Sequence, residues 1–269
     1  MALFPIIILA LVQGITEFLP VSSSGHLVLT HFFLDGKTAD LCWDYNRSLD
    51  IAVHVGTLFA VLIYFRKDFC EIACGTYKPQ SSGFKTLVNI IIASIPVIIA
   101  GLILQIFKPS FLCLLEVMAW MTLIFGIVLW FADQKPVHSD LESMTKWHAL
   151  WIGLSQAVAL IPGTSRSGIT MTTARWLGYN RTDSAKFSLF LAVIAISGAG
   201  ILGGIDLTLT QSWNAGYALL IAAVIACITA FIAIHIMMHW LAKASFLPFV
   251  VYRIALGSLL LGLIYTDII

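Results

Sequence analysis

Gln13-Gly14-Ile15-Thr16-Glu17-Phe18-Leu19-Pro20-Val21-Ser22-Ser23-Ser24-Gly25-His26 decides the fold, because it sets a proline, three serines and a carboxylate inside an apolar run from Phe4 to Phe33. A proline followed by small hydroxyl residues and glycine stops one helix and starts another. A second apolar run, Trp147 to Leu177, is broken in the same way by Pro162-Gly163-Thr164-Ser165-Arg166-Ser167-Gly168. Irregular backbone at membrane depth is tolerated only where protein or a cavity covers it. Each stretch is therefore expected to form a re-entrant hairpin of two short half-helices.

The membrane setting follows from composition. Of 269 residues, 59% are hydrophobic and only 11% are charged. Soluble domains carry roughly 25% charged residues, and the mean hydropathy here is +0.95. A spanning helix takes about 20 mostly apolar residues. Six segments reach that length, at about 49–66, 86–107, 111–132, 184–205, 214–240 and 246–267. The expected fold class is an all-α integral membrane protein of six transmembrane helices plus two re-entrant hairpins. The run from Met1 to Val12 has no basic start and no small-residue cleavage site, so no cleavable signal peptide is expected. Cys42, Cys70, Cys74, Cys113 and Cys227 are scattered. Cys70 and Cys74 share a helical face, but no histidine or further cysteine lies nearby to complete a metal site, and all five read as structural thiols.

The two broken stretches resemble each other. Gln13 precedes Gly25 by twelve residues, and Gln156 precedes Gly168 by twelve. Three full spans lie between them, an odd number, so the second copy is expected to enter from the opposite face. That is the pattern of an inverted-topology repeat, in which sites form near the midplane from discontinuous helices. The expected organisation is one polytopic domain over 1–269, with halves of about 1–132 and 147–269 and a linker of about 133–146. Basic residues set the orientation. Arg66, Lys67, Lys78, Lys85, Lys135, Lys146, Arg175, Arg181, Lys186 and Lys243 fall in the 66–86, 133–147, 175–186 and 241–246 loops of one face, against Lys37, Arg47 and Lys108 on the other. The first face is expected to be cytoplasmic, with both termini and the first hairpin open to the outer side.

Charges inside a membrane are costly and usually functional. Glu17 and Arg166 each lie beside a helix break. Gln13 and Glu17, four apart, share one face of the first half-helix. His26 follows Ser22, Ser23 and Ser24 in the first turn of the next. In the second stretch Thr164, Ser165 and Ser167 flank Arg166, with Gly163 in the turn. A helix N-terminus offers unpaired N–H groups and a partial positive charge to an anion. Arginine matches phosphate bidentately and stays charged in a dry site. Two such helix starts, rich in serine, suit an anion with many oxygens. A bare anion would repel Glu17, so its presence points to chemistry: a general base, a proton reservoir, or a ligand for a cation escorting a diphosphate. Mg²⁺ or Ca²⁺ is the cation in view, and no organic cofactor is expected.

The Gln13–His26 stretch closely resembles the first signature of the bacterial undecaprenyl-diphosphatase family, the bacitracin-resistance type. Pro162-Gly163-Thr164-Ser165-Arg166-Ser167-Gly168-Ile169-Thr170 resembles its second signature. Further matches lie at Ala52-Val53-His54-Val55-Gly56-Thr57, at Phe187-Ser188 with Leu191-Ala192, and at Phe246-Leu247-Pro248-Phe249 with Tyr252-Arg253. The resemblance covers nearly the whole chain. It implies removal of the terminal phosphate from undecaprenyl diphosphate, which regenerates the carrier lipid of cell-wall synthesis and confers bacitracin resistance. It also implies the bacterial inner membrane, with an active site reached from the periplasmic side. By motif, Glu17, Ser23, His26 and Arg166 are the catalytic candidates. Gln13, Ser22, Ser24, Gly163, Thr164, Ser165, Ser167 and His54 are the substrate-binding ones. One departure matters: some members carry glutamate where this chain has Gln13, so Glu17 must serve alone.

The partners expected are a polyprenyl diphosphate lipid and the bilayer, not nucleic acid; a homo-oligomer is left open. Ser23 is the expected nucleophile, with Glu17 or His26 as its base, against attack by His26 itself or by water activated by Glu17. A transporter or flippase of polyprenyl phosphate is the alternative function, because midplane sites in inverted repeats are typical of transporters. The acid phosphatase superfamily fails on spacing, since after Arg166 no histidine is followed by an aspartate four residues later. Arg253 reads as a structural clamp with a functional role left open, and His235 and His239 as interfacial.

Overall fold

A computed structural model describes residues 3–35, 47–107, 109–209 and 216–266. Lys37, Cys42 and Lys108, used above for orientation and thiol chemistry, lie outside these residues. The described residues form eleven α-helices: α1 (Leu3–Thr16), α2 (Ser23–Asp35), α3 (Arg47–Tyr64), α4 (Arg66–Gly75), α5 (Ser82–Phe107), α6 (Leu115–Asp133), α7 (Lys146–Val158), α8 (Arg166–Trp176), α9 (Arg181–Leu209), α10 (Gly216–Leu241) and α11 (Leu247–Tyr265). Helices α5, α6, α9, α10 and α11 are long and apolar enough to cross a membrane, and α3 makes a sixth when taken with α4, from which it bends by 78°. The chain therefore has the build of a multi-pass membrane protein with five or six long apolar helices. On α5 the large side chains of Leu102, Ile103, Ile106 and Phe107 face outward. Such a surface is a liability in water and the ordinary exterior in lipid.

Helix α4 departs from the sequence reading, which left 66–86 as a loop. Arg66, Lys67, Asp68 and Glu71 remove any span signal there. A helix forms nonetheless, burying Ile72 and Gly75, while Asp68 pairs with Lys186 of α9. Helices α3 and α10 approach so closely that a Cβ on Gly56 would lie 2.1 Å from the Ala223 carbonyl oxygen. Small residues of this kind let membrane helices pack by their backbones.

Two helix pairs are short and meet end to end, α1 with α2 and α7 with α8. In both, the residue just before the second helix is a serine with positive φ, 74° at Ser22 and 69° at Ser165. Residues with a Cβ adopt this region at a cost of about 1–3 kcal/mol, and only where surrounding contacts hold them there. In both, the serine's Oγ lies 3.2 Å from that of the serine two residues on, Ser24 and Ser167. Gln13, Ser22, Ser24 and Gly25 correspond at a constant offset to Gln156, Ser165, Ser167 and Gly168. The first members of the pairs also dock alike, α1 on α10 and α7 on α5.

Arg253 of α11 ties these breaks together. It is 0% exposed. Its Nε donates to the Thr122 carbonyl at 3.1 Å and its Nη1 to that of Pro20 at 3.4 Å. Its Nη2 donates to the carbonyls of Gly163 and Thr164, each at 3.0 Å, and to that of Met121 at 3.3 Å. Helix ends and turns leave carbonyls unpaired; here one guanidinium collects such carbonyls from both breaks and reaches two more inside α6.

Candidate active site

Where the breaks meet, Glu17 sits 8% exposed, with three donors on its carboxylate. Arg166 Nη2 donates to Oε1 at 2.7 Å. Gln13 Nε2 and Ser23 Oγ donate to Oε2 at 2.7 and 3.0 Å. Gln13 and Glu17 meet because they stand one turn apart on α1 and its continuation, Glu17 N–H still donating to the Gln13 carbonyl at 3.0 Å. Ser23 and Arg166 are the first residues of α2 and α8. The two charges predicted from opposite halves of the chain thus form one ion pair. Arg166 keeps its second terminal nitrogen, Nη1, buried with no hydrogen-bond partner among the described residues. A buried guanidinium N–H left open in this way is costly unless something with oxygens fills the place.

His54 joins this group from α3. Its Nδ1 lies 2.6 Å from the Asp50 carbonyl, which can only accept, so Nδ1 carries the proton and Nε2 is an acceptor in the neutral ring. Gln13 Nε2 lies 3.0 Å from that Nε2, so the amide spends its two hydrogens on Glu17 and His54. Gln13 Oε1 is buried with no partner among the described residues.

The remaining candidates divide. Ser22 and Ser24 lie beside Ser23 as the paired hydroxyls described above. Ser165 accepts from the Gly168 N–H at 3.1 Å and caps α8. Ser167 donates to the Leu19 carbonyl at 2.9 Å, stitching the second break to the first. Gly163 is packed against α6, and Thr164 follows it in the same break. With Gly163 at φ 90°, a Cβ there would lie 2.1 Å from the Met118 carbonyl oxygen. Thr164 is fully buried, and its Oγ1 has no partner among the described residues.

His26 does not face Ser23 as a base would. Its Nδ1 lies 2.7 Å from the Ser22 carbonyl and its Nε2 2.5 Å from the Tyr252 hydroxyl of α11. Sequence reasoning missed this partner, 226 residues away. The sole signal was that Tyr252 stands beside Arg253 in a matched motif.

The side chains of the described residues do not by themselves make a resident cation site. Among the described residues no three His, Cys, Asp or Glu side chains gather as metal ligands. Glu17 is, among the described residues, the carboxylate at the centre, and its oxygens face an arginine, an amide and a hydroxyl. Mg²⁺ and Ca²⁺ ask for about six or more oxygen ligands.

Fold and site together define a class: a multi-pass membrane protein with a buried acid–arginine–hydroxyl centre where two helix breaks meet. The chain belongs to the family described as Bacitracin resistance protein BacA, whose profile matches residues 6–259. It is 42% identical over 271 residues to a protein named undecaprenyl-diphosphatase from Alteromonas mediterranea, covering 98% of this chain and 100% of that one. Proteins of the same name from Ruegeria pomeroyi and Hahella chejuensis are 43% and 41% identical, over 99% and 97% of this chain and 100% and 97% of theirs.

Proposed function

We propose that this chain hydrolyses undecaprenyl diphosphate to undecaprenyl phosphate and inorganic phosphate, recycling the cell-wall carrier lipid and so conferring bacitracin resistance. The observation that carries the reading is Arg166, with one nitrogen on Glu17 and the other buried and open beside a serine that shares that carboxylate. The names of the full-length relatives speak for hydrolysis over transport.

In this reading the terminal phosphate takes the open side of Arg166 and the start of α8, where backbone N–H groups favour an anion. Glu17 Oε2 receives the proton of Ser23 Oγ. The oxygen then forms a bond to the terminal phosphorus as the bridging P–O bond breaks, leaving its electron pair on the lipid phosphate. Water then bonds to the phosphorus as the Ser23 Oγ–P bond breaks, inorganic phosphate leaves, and Glu17 returns its proton to Ser23 Oγ. Arg166 neutralises charge on the transferring group, the main task in phosphoryl transfer. Mg²⁺ or Ca²⁺ enters only as a companion of the diphosphate, and no step is assigned to it.

The architecture proposed for this chemistry is six spans and two re-entrant hairpins in an inverted repeat, one domain with its site open to the periplasmic side of the inner membrane. The matched positive-φ serines, the matched hydroxyl pairs and the like docking of α1 and α7 support it. Phosphate release from a polyprenyl diphosphate by purified protein in detergent tests the activity. Rapid quench with labelled substrate, read by mass spectrometry, tests the nucleophile. A phosphoserine at Ser23 is expected. A phosphohistidine at His26 moves the attack there, and no adduct favours water activated by Glu17.

A further inference from the structure

We propose that Tyr252 is a positioning residue for His26, holding the imidazole in one tautomer and one orientation beside the site; this rests on the phosphatase reading above. The two rings lie stacked, with centroids 5.5 Å apart and planes 9° from parallel. The Tyr252 hydroxyl is 2.5 Å from Nε2, and the Ser22 carbonyl is 2.7 Å from Nδ1. A carbonyl oxygen only accepts, so Nδ1 carries the hydrogen and the neutral ring presents its lone pair at Nε2. The phenol donates to that lone pair.

The choice of partner has a consequence for proton movement. If the ring takes a second proton, Nε2–H becomes a donor, and the same phenolic oxygen accepts from it by turning its own hydrogen away. A hydroxyl can serve both states, whereas an amide N–H or a carbonyl could serve only one. The imidazole can therefore change its proton count without moving.

Both anchors are themselves fixed. Ser22 is set by its positive φ at the break. Tyr252 precedes Arg253, whose five carbonyl bonds pin that turn of α11. Ser23 is already engaged by Glu17, so His26 is free for a separate duty from the one that activates the nucleophile. A histidine that exchanges a proton in place is suited to general acid–base work.

The test is steady-state phosphate release by the purified full-length protein carrying Tyr252→Phe, Tyr252→Leu, His26→Ala, or His26→Ala with Tyr252→Phe. Partners that orient metal-bound histidines are worth about 10- to 100-fold in affinity or activity, and the lower end of that range is taken for a histidine oriented for proton transfer. Tyr252→Phe is expected to lower kcat by about tenfold with KM within about twofold, and Tyr252→Leu to do the same. In the His26→Ala background, Tyr252→Phe is expected to cost nothing further, since the two act as one unit. Wild-type kcat in Tyr252→Phe, or loss in the leucine variant alone, would reduce the contact to packing. Additive losses, a rise confined to KM, or full activity in His26→Ala would each overturn the inference. A wild-type protein that releases no phosphate would overturn the reading beneath it, and the inference with it.

Discussion

At the residue scale, Arg166 is the group whose geometry speaks most directly of an anion. A lysine at 166 keeps the charge, but its point-like ammonium cannot both hold Glu17 and present a second nitrogen in a fixed fork. Arg166→Lys is therefore expected to be nearly as damaging as Arg166→Ala, each losing about 10²–10³ in kcat. Steady-state phosphate release checks it; substantial activity in the lysine variant would mean that charge alone is enough. Glu17→Gln gives a complementary outcome. The amide cannot take the Ser23 proton, and it leaves Arg166 without its counter-charge. A loss of about 10²–10⁴ in kcat is expected, the range for a general base. KM should not rise, because an arginine released from Glu17 binds phosphate at least as well. A variant with unchanged kcat and raised KM would assign Glu17 to binding instead.

At the scale of the elements, the breaks carry the site, and Gly163 shows how tightly they are built. Its φ of 90° and a would-be Cβ 2.1 Å from the Met118 carbonyl oxygen leave no room for any side chain. Gly163→Ala must displace the turn or α6, and with it the carbonyls of Gly163 and Thr164 that Arg253 gathers. Strained positions of this kind cost about 1–3 kcal/mol, and a clash with backbone adds to it. A lower melting temperature in detergent and loss of phosphate release are expected together; a variant of wild-type melting temperature and activity would show that the turn yields freely. The position of this break was legible in the sequence, since proline, glycine and serines in an apolar run have few other meanings. The pairing of Glu17 with Arg166 followed from the likeness of the two breaks. The Tyr252–His26 contact was not legible, because nothing local in either stretch marks a partner on a distant helix. Helix α4 was hidden for a different reason: its charges erase the hydropathy signal while leaving helical propensity intact. The packing role of Gly163 was equally out of reach, because it depends on where α6 passes.

At the scale of the whole molecule, the proposed architecture makes a claim about sidedness that no single site can test. If the repeat is inverted, the base of the first hairpin and the base of the second open to opposite sides of the membrane. The basic loops predict which is which, with 66–86 and 133–147 inside. Leu3 begins α1 and is 51% exposed, which makes it a reporter for the first hairpin. Ser143, exposed just before α7, reports on the second. Cys70 and Cys74 are both exposed on α4, so native thiols report on the 66–86 face once Cys42, Cys113 and Cys227 are replaced. Labelling spheroplasts with a membrane-impermeant maleimide is expected to modify Leu3→Cys in a cysteine-free background. Ser143→Cys, and the native Cys70 and Cys74 pair, should react only after the membrane is opened. Activity of each variant, measured alongside, confirms that the labelled protein is folded. Labelling of Leu3→Cys and Ser143→Cys from the same side would refute the inverted repeat, yet leave the Glu17–Arg166 pair and its chemistry standing. Reversal of both would keep the repeat and turn the site toward the cytoplasm, where a lipid diphosphate on the outer leaflet could not reach it.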